Sequence, residues 1–184
     1  MPKNLYLVGA RASGKTSVGM RLADALGRPF ADTDQVICAG SGLTIAEIVE
    51  REGWESFRGR ESAALEEVAG RGLVVATGGG MVLCSGNRRR MRETGVVIYL
   101  SAPAVILAAR LAVDPGAAQR PSLTGKGRLE EIEDIVRQRE ALYREVANYV
   151  VDAAKDVAEI VDEILAVAGM ELEKGEARDE LHLA

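Results

Sequence analysis

The segment 9–16, GARASGKT, constrains this chain more than any other stretch. It matches the pattern G-x-x-x-x-G-K-[ST]; an apolar run at residues 5–8 leads into it, and a helix-forming stretch at residues 17–26 follows it. A strand, a glycine-rich loop and a helix in this order form a cradle whose backbone amides point at a polyphosphate near the positive end of the helix. Lys15 adds a mobile positive charge, and Thr16 offers a hydroxyl to Mg2+. The segment therefore predicts binding of a nucleoside triphosphate, and the alternative is an ordinary glycine-rich turn.

Length and composition favour one globular domain. The chain has 184 residues, which is long enough for one well-buried core and short for two domains. Its net charge is -5 and no apolar stretch reaches membrane-spanning length, so we expect neither a nucleic-acid partner nor a membrane. We assign residues 1–170 to a single domain and residues 171–184 to a charged, flexible tail, and we expect a monomer.

The rare titratable residues narrow the chemistry. The only histidine, His182, lies in the charged tail, so histidine triads, histidine metal clusters and histidine general bases are not expected. Cys38 and Cys84 are distant in sequence and form no metal-ligand spacing, so neither a disulfide framework nor a zinc site is indicated. The first residues contain no signal-peptide apolar region, and we expect the reducing cytoplasm as the compartment. Acid–base chemistry then falls to a carboxylate.

Short apolar runs separated by stretches of helical periodicity predict an α/β fold. We expect a three-layer α/β/α sandwich with a five-stranded parallel sheet. Gly53 should separate two helices, the first of which begins with a capping box at Thr44 and Glu47. The expected strands lie near residues 5–8, 29–34, 73–76, 96–100 and 149–151, and the expected helices near residues 17–26, 44–51, 54–69, 87–93, 103–111, 129–146 and 157–168.

The stretch at about residues 112–127 is too long for a plain connection between two elements. Such loops are usually lids or disordered. Arg120 lies in its middle, before Pro121, and we expect it to close over the polyphosphate and neutralise charge that develops during transfer. The alternative is an exposed residue without a role.

Two carboxylates follow the second expected strand. Asp32 and Asp34 are separated by one residue, so in an extended segment they would project from the same face. The alternative is a turn and a helix cap, which aspartate also favours. The strand that ends at Thr77 lacks the aspartate that many phosphate-loop enzymes use for magnesium, so Asp32 is the preferred metal ligand.

Cationic side chains and a glycine run complete the set of candidates. Arg58 and Arg139 are our choice for a carboxylate clamp, because a guanidinium binds a carboxylate in two places. For any helix arginine the alternative is a solvated face, which we prefer for the run at 88–90. Three successive glycines at 78–80 leave room for a close neighbour of the backbone, or form a flexible loop.

Taken together, six motifs resemble the shikimate kinase family. They are GARASGKT at 9–16, DTD at 32–34, FRGRE at 57–61, GGG at 78–80, RPSLTGK at 120–126 and RQREALYREVA at 137–147. They occur in family order and cover the chain from about residue 5 to residue 151. The resemblance implies a P-loop NTPase of the nucleoside-monophosphate-kinase-like class, with ATP and Mg2+. It also implies phosphorylation of the shikimate 3-hydroxyl to give shikimate 3-phosphate and ADP.

The same resemblance implies roles for individual residues. ATP would be bound by Ala12, Ser13, Gly14, Lys15, Thr16, Ser17, Arg110 and Arg120. The helices at about 33–61 would form the substrate-binding part of the domain. The residues that bind shikimate would be Asp34, Arg58, Gly78, Gly79, Gly80 and Arg139. The metal would be held by Thr16 and Asp32, and the catalytic residues would be Lys15, Asp34 as proton acceptor, and the lid residue Arg120. Lys155 stands where an adenine-stacking arginine is often found in the family.

Two alternatives to this function stay open. One is another small-molecule or nucleotide kinase on the same scaffold, acting on gluconate or a nucleoside monophosphate. The other is a nucleotide-binding switch or subunit that binds ATP without turnover stimulated by an acceptor.

Overall fold

The computed structural model of the chain describes residues 3–113 and 127–168. Five parallel strands form one sheet in the order β2-β3-β1-β4-β5. The strands are β1 (Asn4–Val8), β2 (Phe30–Asp32), β3 (Val74–Ala76), β4 (Gly95–Ser101) and β5 (Tyr149–Asp152). The prediction of a five-stranded parallel sheet is therefore confirmed.

Helices connect the strands and cover the sheet. They are α1 (Lys15–Leu26), α2 (Thr33–Ser41), α3 (Ile45–Val68), α4 (Ser85–Thr94), α5 (Ala104–Val113), α6 (Arg128–Val146) and α7 (residues 157–168), with a 3-10 turn at Met81–Leu83. Among the described residues, none of these helices has the length and apolar content that a membrane span requires.

The central strand β1 contributes side chains to two separate apolar cores. Leu5 and Leu7 belong to one core, with residues of α1, α5 and α7, whereas Tyr6 and Val8 belong to the other, with residues of α3, α4 and α6. Successive side chains of a strand point to opposite faces, so helices must cover both faces of the sheet. This arrangement confirms the predicted three-layer sandwich.

Local sequence signals set the helix ends. Helix α1 begins directly after Gly14 and ends at Gly27, and both glycines have positive φ (90° and 62°). Helix α3 begins with the capping box of Thr44 and Glu47, in which each side chain accepts a hydrogen bond from the other residue's backbone amide. At Gly53 the backbone leaves the helical region (φ 81, ψ 170), so the predicted break is present inside α3.

The expected extended geometry of Asp32 and Asp34 is wrong. Strand β2 ends at Asp32, and Asp34 lies in the first turn of α2. The Asp32 side chain caps this helix by accepting hydrogen bonds from the amides of Asp34 (3.0 Å) and Gln35 (3.4 Å). The capping interaction, which we held as the alternative, turns the chain out of the sheet immediately after Asp32.

The run at 88–90 also differs from the expected solvated face. The Arg88 guanidinium donates to the Val82 carbonyl (2.7 Å) and pairs with Glu145 (3.0 Å). Arg90 pairs with Glu66 at 2.9 Å, and only the Arg89 side chain, 79% exposed, is mostly in solvent. The run therefore ties α4 to α6 and α3.

Part of the expected lid belongs to a helix, since α5 continues to Val113. Residues 114–126, with Arg120, lie outside the described residues, as does the tail 171–184 with His182.

Candidate active site

The phosphate loop connects β1 to α1 and has the backbone conformation that its glycines allow. Gly9 (φ 149), Ala12 (φ 63) and Gly14 (φ 90) all have positive φ. A Cβ atom on Gly9 would lie 2.7 Å from the Leu100 carbonyl oxygen and 2.9 Å from the Ser13 hydroxyl, so a side chain does not fit there. The loop thus forms the tight cradle that the pattern predicts, with α1 starting at its end.

Lys15 lies over this cradle. Its ammonium donates to the carbonyls of Gly9 (2.9 Å) and Ala10 (2.7 Å) and to the Ser13 hydroxyl (3.3 Å). These acceptors all belong to the phosphate loop, so the positive charge is held at the loop itself. An anionic ligand in the cradle would meet this charge directly.

Thr16 and Asp32 place two oxygen ligands side by side. The Thr16 hydroxyl donates to one carboxylate oxygen of Asp32 at 2.9 Å, while the other carboxylate oxygen caps α2. No cluster of three acidic, histidine or cysteine side chains suited to a metal occurs within the described ranges. Mg2+ commonly uses one or two protein oxygens and completes its octahedron with water and substrate phosphates, so the Thr16–Asp32 pair fits such a metal.

A cleft of about 1100 Å³ opens in front of the cradle. Its lining includes Asp34 and the first turns of α2 and α3 on one side, and Arg110, Val157 and Ile160 on the other. The Arg110 guanidinium donates to the Ala12 carbonyl at 3.5 Å. The volume lies slightly above the roughly 300 to 1,000 Å³ that is typical of protein sites for small ligands and cofactors.

The glycine run at 78–80 adjoins the phosphate loop. A Cβ atom on Gly79 would lie 3.4 Å from the Gly9 carbonyl oxygen, so the two loops are in close contact. A Cβ atom on Gly78 would lie 2.7 Å from a carboxylate oxygen of Asp34 and 2.9 Å from one of Glu61. The expectation that something approaches this backbone closely is confirmed: the phosphate-loop backbone lies next to Gly79, and ionisable side chains lie next to Gly78 and Gly80.

Asp34 is 8% exposed and faces the glycine run from the start of α2. Its neighbour Thr33 is fully buried, and the Thr33 hydroxyl accepts a hydrogen bond from the Gly78 amide at 2.9 Å. This bond fixes the start of α2 against the end of β3. Asp34 is thereby held between the phosphate loop and the glycine run, although not by the strand geometry we expected.

Arg58 is braced on several sides. It forms an ion pair with Glu61 one turn later in α3, and its guanidinium carbon lies 5.3 Å from the Trp54 ring centroid and 5.7 Å from that of Phe57. A Cβ atom on Gly80 would overlap the Arg58 guanidinium. The sequence prediction of Arg58 as a site residue thus corresponds to a guanidinium placed against the glycine run.

Glu61 is the group that links these side chains, and the sequence analysis did not select it. Glu61 is 1% exposed, and its carboxylate lies among Arg58, Asp34 and Arg139. Burial raises the pKa of Glu61 above its ordinary value, and the hydrogen bond and charge of Arg58 only partly oppose the rise. The spacing of Arg58 and Glu61 along α3 was the one sequence signal that pointed to Glu61 directly.

Arg139 reaches the glycine run from α6. It is 8% exposed, and its guanidinium donates to the Gly79 carbonyl at 3.0 Å. Tyr143, one turn later in α6, donates to the same carbonyl at 2.6 Å and was also missed by the sequence analysis. The buried Nε atom of Arg139 has no hydrogen-bond acceptor among the described residues.

Lys155 pairs with Glu163 at 2.7 Å, an exposed contact between the loop after β5 and α7. Of the described candidates, 12–17, Asp32, Asp34 and Arg110 line the cleft. Arg58, 78–80 and Arg139 form a second group that adjoins it, because Asp34 contacts the glycine run while Arg58 and Arg139 lie against that run.

Comparisons with known proteins point to one family. The family model described as shikimate kinase matches residues 11–168. Shikimate kinase 2 of Salmonella schwarzengrund is 52% identical over 166 residues, which cover 90% of this chain and 92% of that protein. Shikimate kinase 2 of Escherichia fergusonii is 52% identical over 167 residues, which cover 91% of this chain and 92% of that protein.

A solved structure agrees with the sequence relatives. The shikimate kinase of Acinetobacter baumannii, in complex with shikimate, superimposes with a TM-score of 0.85 at 37% identity and covers 91% of this chain and 93% of its own. Because the matched region includes the phosphate loop after Ala10, α2, α3 and the glycine run, the shared sequence contains the candidate site as well as the fold. This chain therefore belongs to the shikimate kinase family.

Proposed function

We propose that this chain transfers the γ-phosphoryl group of ATP to the 3-hydroxyl of shikimate, giving shikimate 3-phosphate and ADP. One observation carries the proposal. The glycine run, around which the residues proposed to bind the acceptor lie, contacts the phosphate loop: the Cβ position of Gly79 is 3.4 Å from the Gly9 carbonyl oxygen. An acceptor bound at the glycine run would therefore lie next to a polyphosphate bound in the cradle, as direct transfer requires.

The donor side is assigned to the phosphate loop. We assign the polyphosphate to the amides and side chains of 12–17, with Lys15 turning from its loop carbonyls to the β- and γ-phosphates. Arg110, at the Ala12 carbonyl, is assigned to the adenine end of the cleft. Arg120 keeps its proposed role at the phosphates, and it lies outside the described residues.

Thr16 and Asp32 are the residues assigned to Mg2+. Thr16 would offer its hydroxyl oxygen, and Asp32 would offer the carboxylate oxygen that now accepts from Thr16. When bound, the metal would neutralise negative charge on the phosphates. The other oxygen of Asp32 stays engaged in the cap of α2, so the carboxylate keeps its orientation.

The acceptor side suits a small polyol that carries one carboxylate. We assign the substrate carboxylate to Arg58 and Arg139, because a guanidinium binds a carboxylate in two places. The hydroxyl groups are assigned to Asp34 and to the backbone of 78–80. Asp34 would accept the proton that leaves the attacking hydroxyl, and Lys15 would stabilise the charge that develops on the transferred group.

The proposal includes the unit in which this chemistry takes place. We propose residues 1–170 as a single kinase domain, helices at about 33–61 as the acceptor-binding part, and about 112–127 as a lid that excludes water. A cytoplasmic monomer without a nucleic-acid partner remains part of the proposal. Size-exclusion chromatography with light scattering tests the oligomeric state.

The test is ADP release with Mg-ATP in the presence and absence of shikimate, with gluconate and nucleoside monophosphates as parallel acceptors. We expect strong stimulation by shikimate alone and formation of shikimate 3-phosphate, observed by 31P NMR. Stimulation by gluconate or a nucleoside monophosphate instead would assign the chain to another acceptor. ATP binding with no stimulation by any acceptor would favour the nucleotide-binding switch.

A further inference from the structure

The Gly79 carbonyl oxygen accepts hydrogen bonds from two side chains. It accepts one hydrogen bond from the Tyr143 hydroxyl at 2.6 Å and one from the Arg139 guanidinium at 3.0 Å. Both donors lie on α6, four residues apart and therefore on the same face of the helix. A carbonyl oxygen has two lone pairs, so the two bonds fix the direction of this oxygen.

The direction of the Gly79 oxygen also determines the direction of the next amide. In a planar trans peptide, the Gly79 C=O and the Gly80 N–H point in opposite directions. Within the described ranges the N–H groups of Gly79 and Gly80 have no hydrogen-bond acceptor, although the Gly80 carbonyl accepts from Leu83 and the Gly78 amide donates to Thr33. Gly80 is buried, and a buried donor without a partner is costly unless a ligand or water supplies one.

Tyr143 is itself held rigidly. Its side chain is fully buried and stacks on Tyr99 of β4, with ring centroids 5.0 Å apart and an interplanar angle of 20°. The Tyr99 hydroxyl donates a hydrogen bond to the Glu140 carboxylate. The same carboxylate accepts a hydrogen bond from Arg144, one turn later in α6. Burial raises the pKa of Tyr143 to about 12, so its hydroxyl keeps its proton and remains a donor at neutral pH.

From this geometry we infer that Tyr143 is a positioning residue for the acceptor substrate, acting through the Gly79 carbonyl on the Gly80 amide and on Arg139. The inference rests on the proposed function, which assigns the shikimate hydroxyl groups in part to the backbone of 78–80. Tyr143 does not touch the substrate in this inference. It keeps the peptide and the Arg139 guanidinium in the orientation that the substrate needs, so the substrate does not have to impose that orientation on binding.

The direct test is Tyr143→Phe, which keeps the ring and its stack on Tyr99 and removes the hydroxyl. We expect the KM for shikimate to rise by about 3- to 10-fold, because one of two bonds to the carbonyl is lost, while the KM for ATP stays within about twofold. KM does not depend on the amount of active enzyme, so partial unfolding of the variant does not distort the comparison.

A matched control separates positioning from stability. Tyr6 is also fully buried, and its hydroxyl is bonded to Asn4 (3.0 Å) and Thr94 (2.8 Å) at the other end of the sheet. We expect Tyr6→Phe to lose stability comparably, measured by urea unfolding, and to leave both KM values unchanged. An equal rise of the shikimate KM in Tyr6→Phe would mean that losing a buried tyrosine hydroxyl far from the glycine run has the same effect, and it would overturn the inference.

A second pair of variants tests the same inference without changing Tyr143. Tyr99→Phe keeps the stacked ring, so the shikimate KM should stay at the parent value. Tyr99→Leu removes the ring that orients Tyr143, so the shikimate KM should rise and the ATP KM should not. Equal shikimate KM values in these two variants, or in Tyr143→Phe and the parent, would overturn the inference.

The outcomes also distinguish this inference from the proposed function. A parent chain without shikimate-stimulated ADP release would contradict the proposed function and remove the inference with it. A parent chain that responds to shikimate, with an unaltered shikimate KM in Tyr143→Phe, would contradict the inference alone.

Discussion

Glu61 and Arg58 form an ion pair across one turn of α3 in which only the cation retains contact with solvent. The Glu61 side chain is 2% exposed and the Arg58 side chain 25%. The carboxylate therefore braces the guanidinium from inside the protein, together with the Trp54 ring. Glu61 and Trp54 fix the orientation of the Arg58 guanidinium, and the part of it that still contacts solvent can bind an anionic ligand.

Replacing Glu61 by glutamine should change how stability depends on pH. Burial raises the pKa of Glu61 above 4.5, so the folded state binds this proton more tightly than the unfolded state does. Stability from this group is present below the ordinary pKa and lost as the pH rises through the folded-state pKa. The free energy of unfolding should therefore fall with rising pH less steeply in Glu61→Gln than in the parent, measured by urea unfolding.

Glu52 provides a control of opposite sign on the same helix. Hydrogen bonds from Ser56 and Arg60 lower the pKa of Glu52, so its contribution to stability is present above the ordinary pKa and lost as the pH falls. Glu52→Gln should therefore cause a small loss of stability at neutral pH. Superimposable pH profiles for the parent and Glu61→Gln would contradict the assignment of a raised pKa.

Arg58→Ala should weaken shikimate binding by about 2 to 5 kcal/mol, because it removes a charge-assisted partner of the substrate carboxylate and leaves Glu61 buried without its cation. ATP affinity should change little. Isothermal titration calorimetry with each ligand measures both. Arg60→Ala is the matched control, since Arg60 lies on the same helix and pairs with Glu52 at an exposed position. Unaltered shikimate affinity in Arg58→Ala would return Arg58 to a structural role.

Asp34→Asn should mainly lower kcat, by about 10²- to 10⁴-fold, because the amide cannot accept the hydroxyl proton. Shikimate should still bind, since the amide can keep a hydrogen bond to a hydroxyl group. Steady-state kinetics at saturating shikimate measures the effect, and Asp24→Asn on the exposed face of α1 is the control. A normal rate in Asp34→Asn would mean that no base is needed at this position.

Lys15→Met should lower kcat by at least about 10²-fold, because the side chain stays unbranched and nearly as long but loses the charge that meets the transferred phosphoryl group. Lys3→Met, at an exposed position before β1, should behave as the parent. Single-turnover measurement of ADP formation checks both. Near-normal turnover in Lys15→Met would contradict the assignment of the phosphate cradle.

Structural features that depend on neighbouring residues could be predicted from the sequence, whereas contacts between elements distant along the chain could not. The phosphate loop, the cap at Thr44 and the break at Gly53 depend on neighbouring residues, and the structure contains all three. Asp34 lines the cleft, but in the first turn of a helix and not in the extended segment that we expected, because Asp32 uses one carboxylate oxygen to cap that helix. The sequence offered the role of Asp32 as a helix cap only as the alternative to a strand position.

Glu61 and Tyr143 were missed for a different physical reason. Each lies on a long helix with ordinary periodicity, and its importance comes from the glycine run, which is distant along the chain. A buried carboxylate next to two arginines can be recognised only when α2, α3 and α6 are brought together. The glycine run itself was the sequence signal, since three residues without side chains indicate close neighbours without identifying them.

Gly80→Ala tests whether Arg58 must occupy its observed position. The backbone of Gly80 (φ -94, ψ -7) is open to alanine, so the substitution adds no backbone strain. The new Cβ would overlap the Arg58 guanidinium, which must then leave the glycine run. We expect shikimate affinity to fall by about 10- to 100-fold, measured by calorimetry, while ATP affinity is retained.

Gly59→Ala is the matched control for this substitution. Gly59 is exposed in the interior of α3, one residue from Arg58, and a Cβ there would meet nothing within 4 Å. Alanine should therefore stabilise the helix by about 0.5 to 1 kcal/mol and leave shikimate affinity unchanged. If Gly80→Ala bound shikimate as tightly as Gly59→Ala does, the contact between Arg58 and the glycine run would have no part in recognising the acceptor, and the clamp would depend on Arg139 alone.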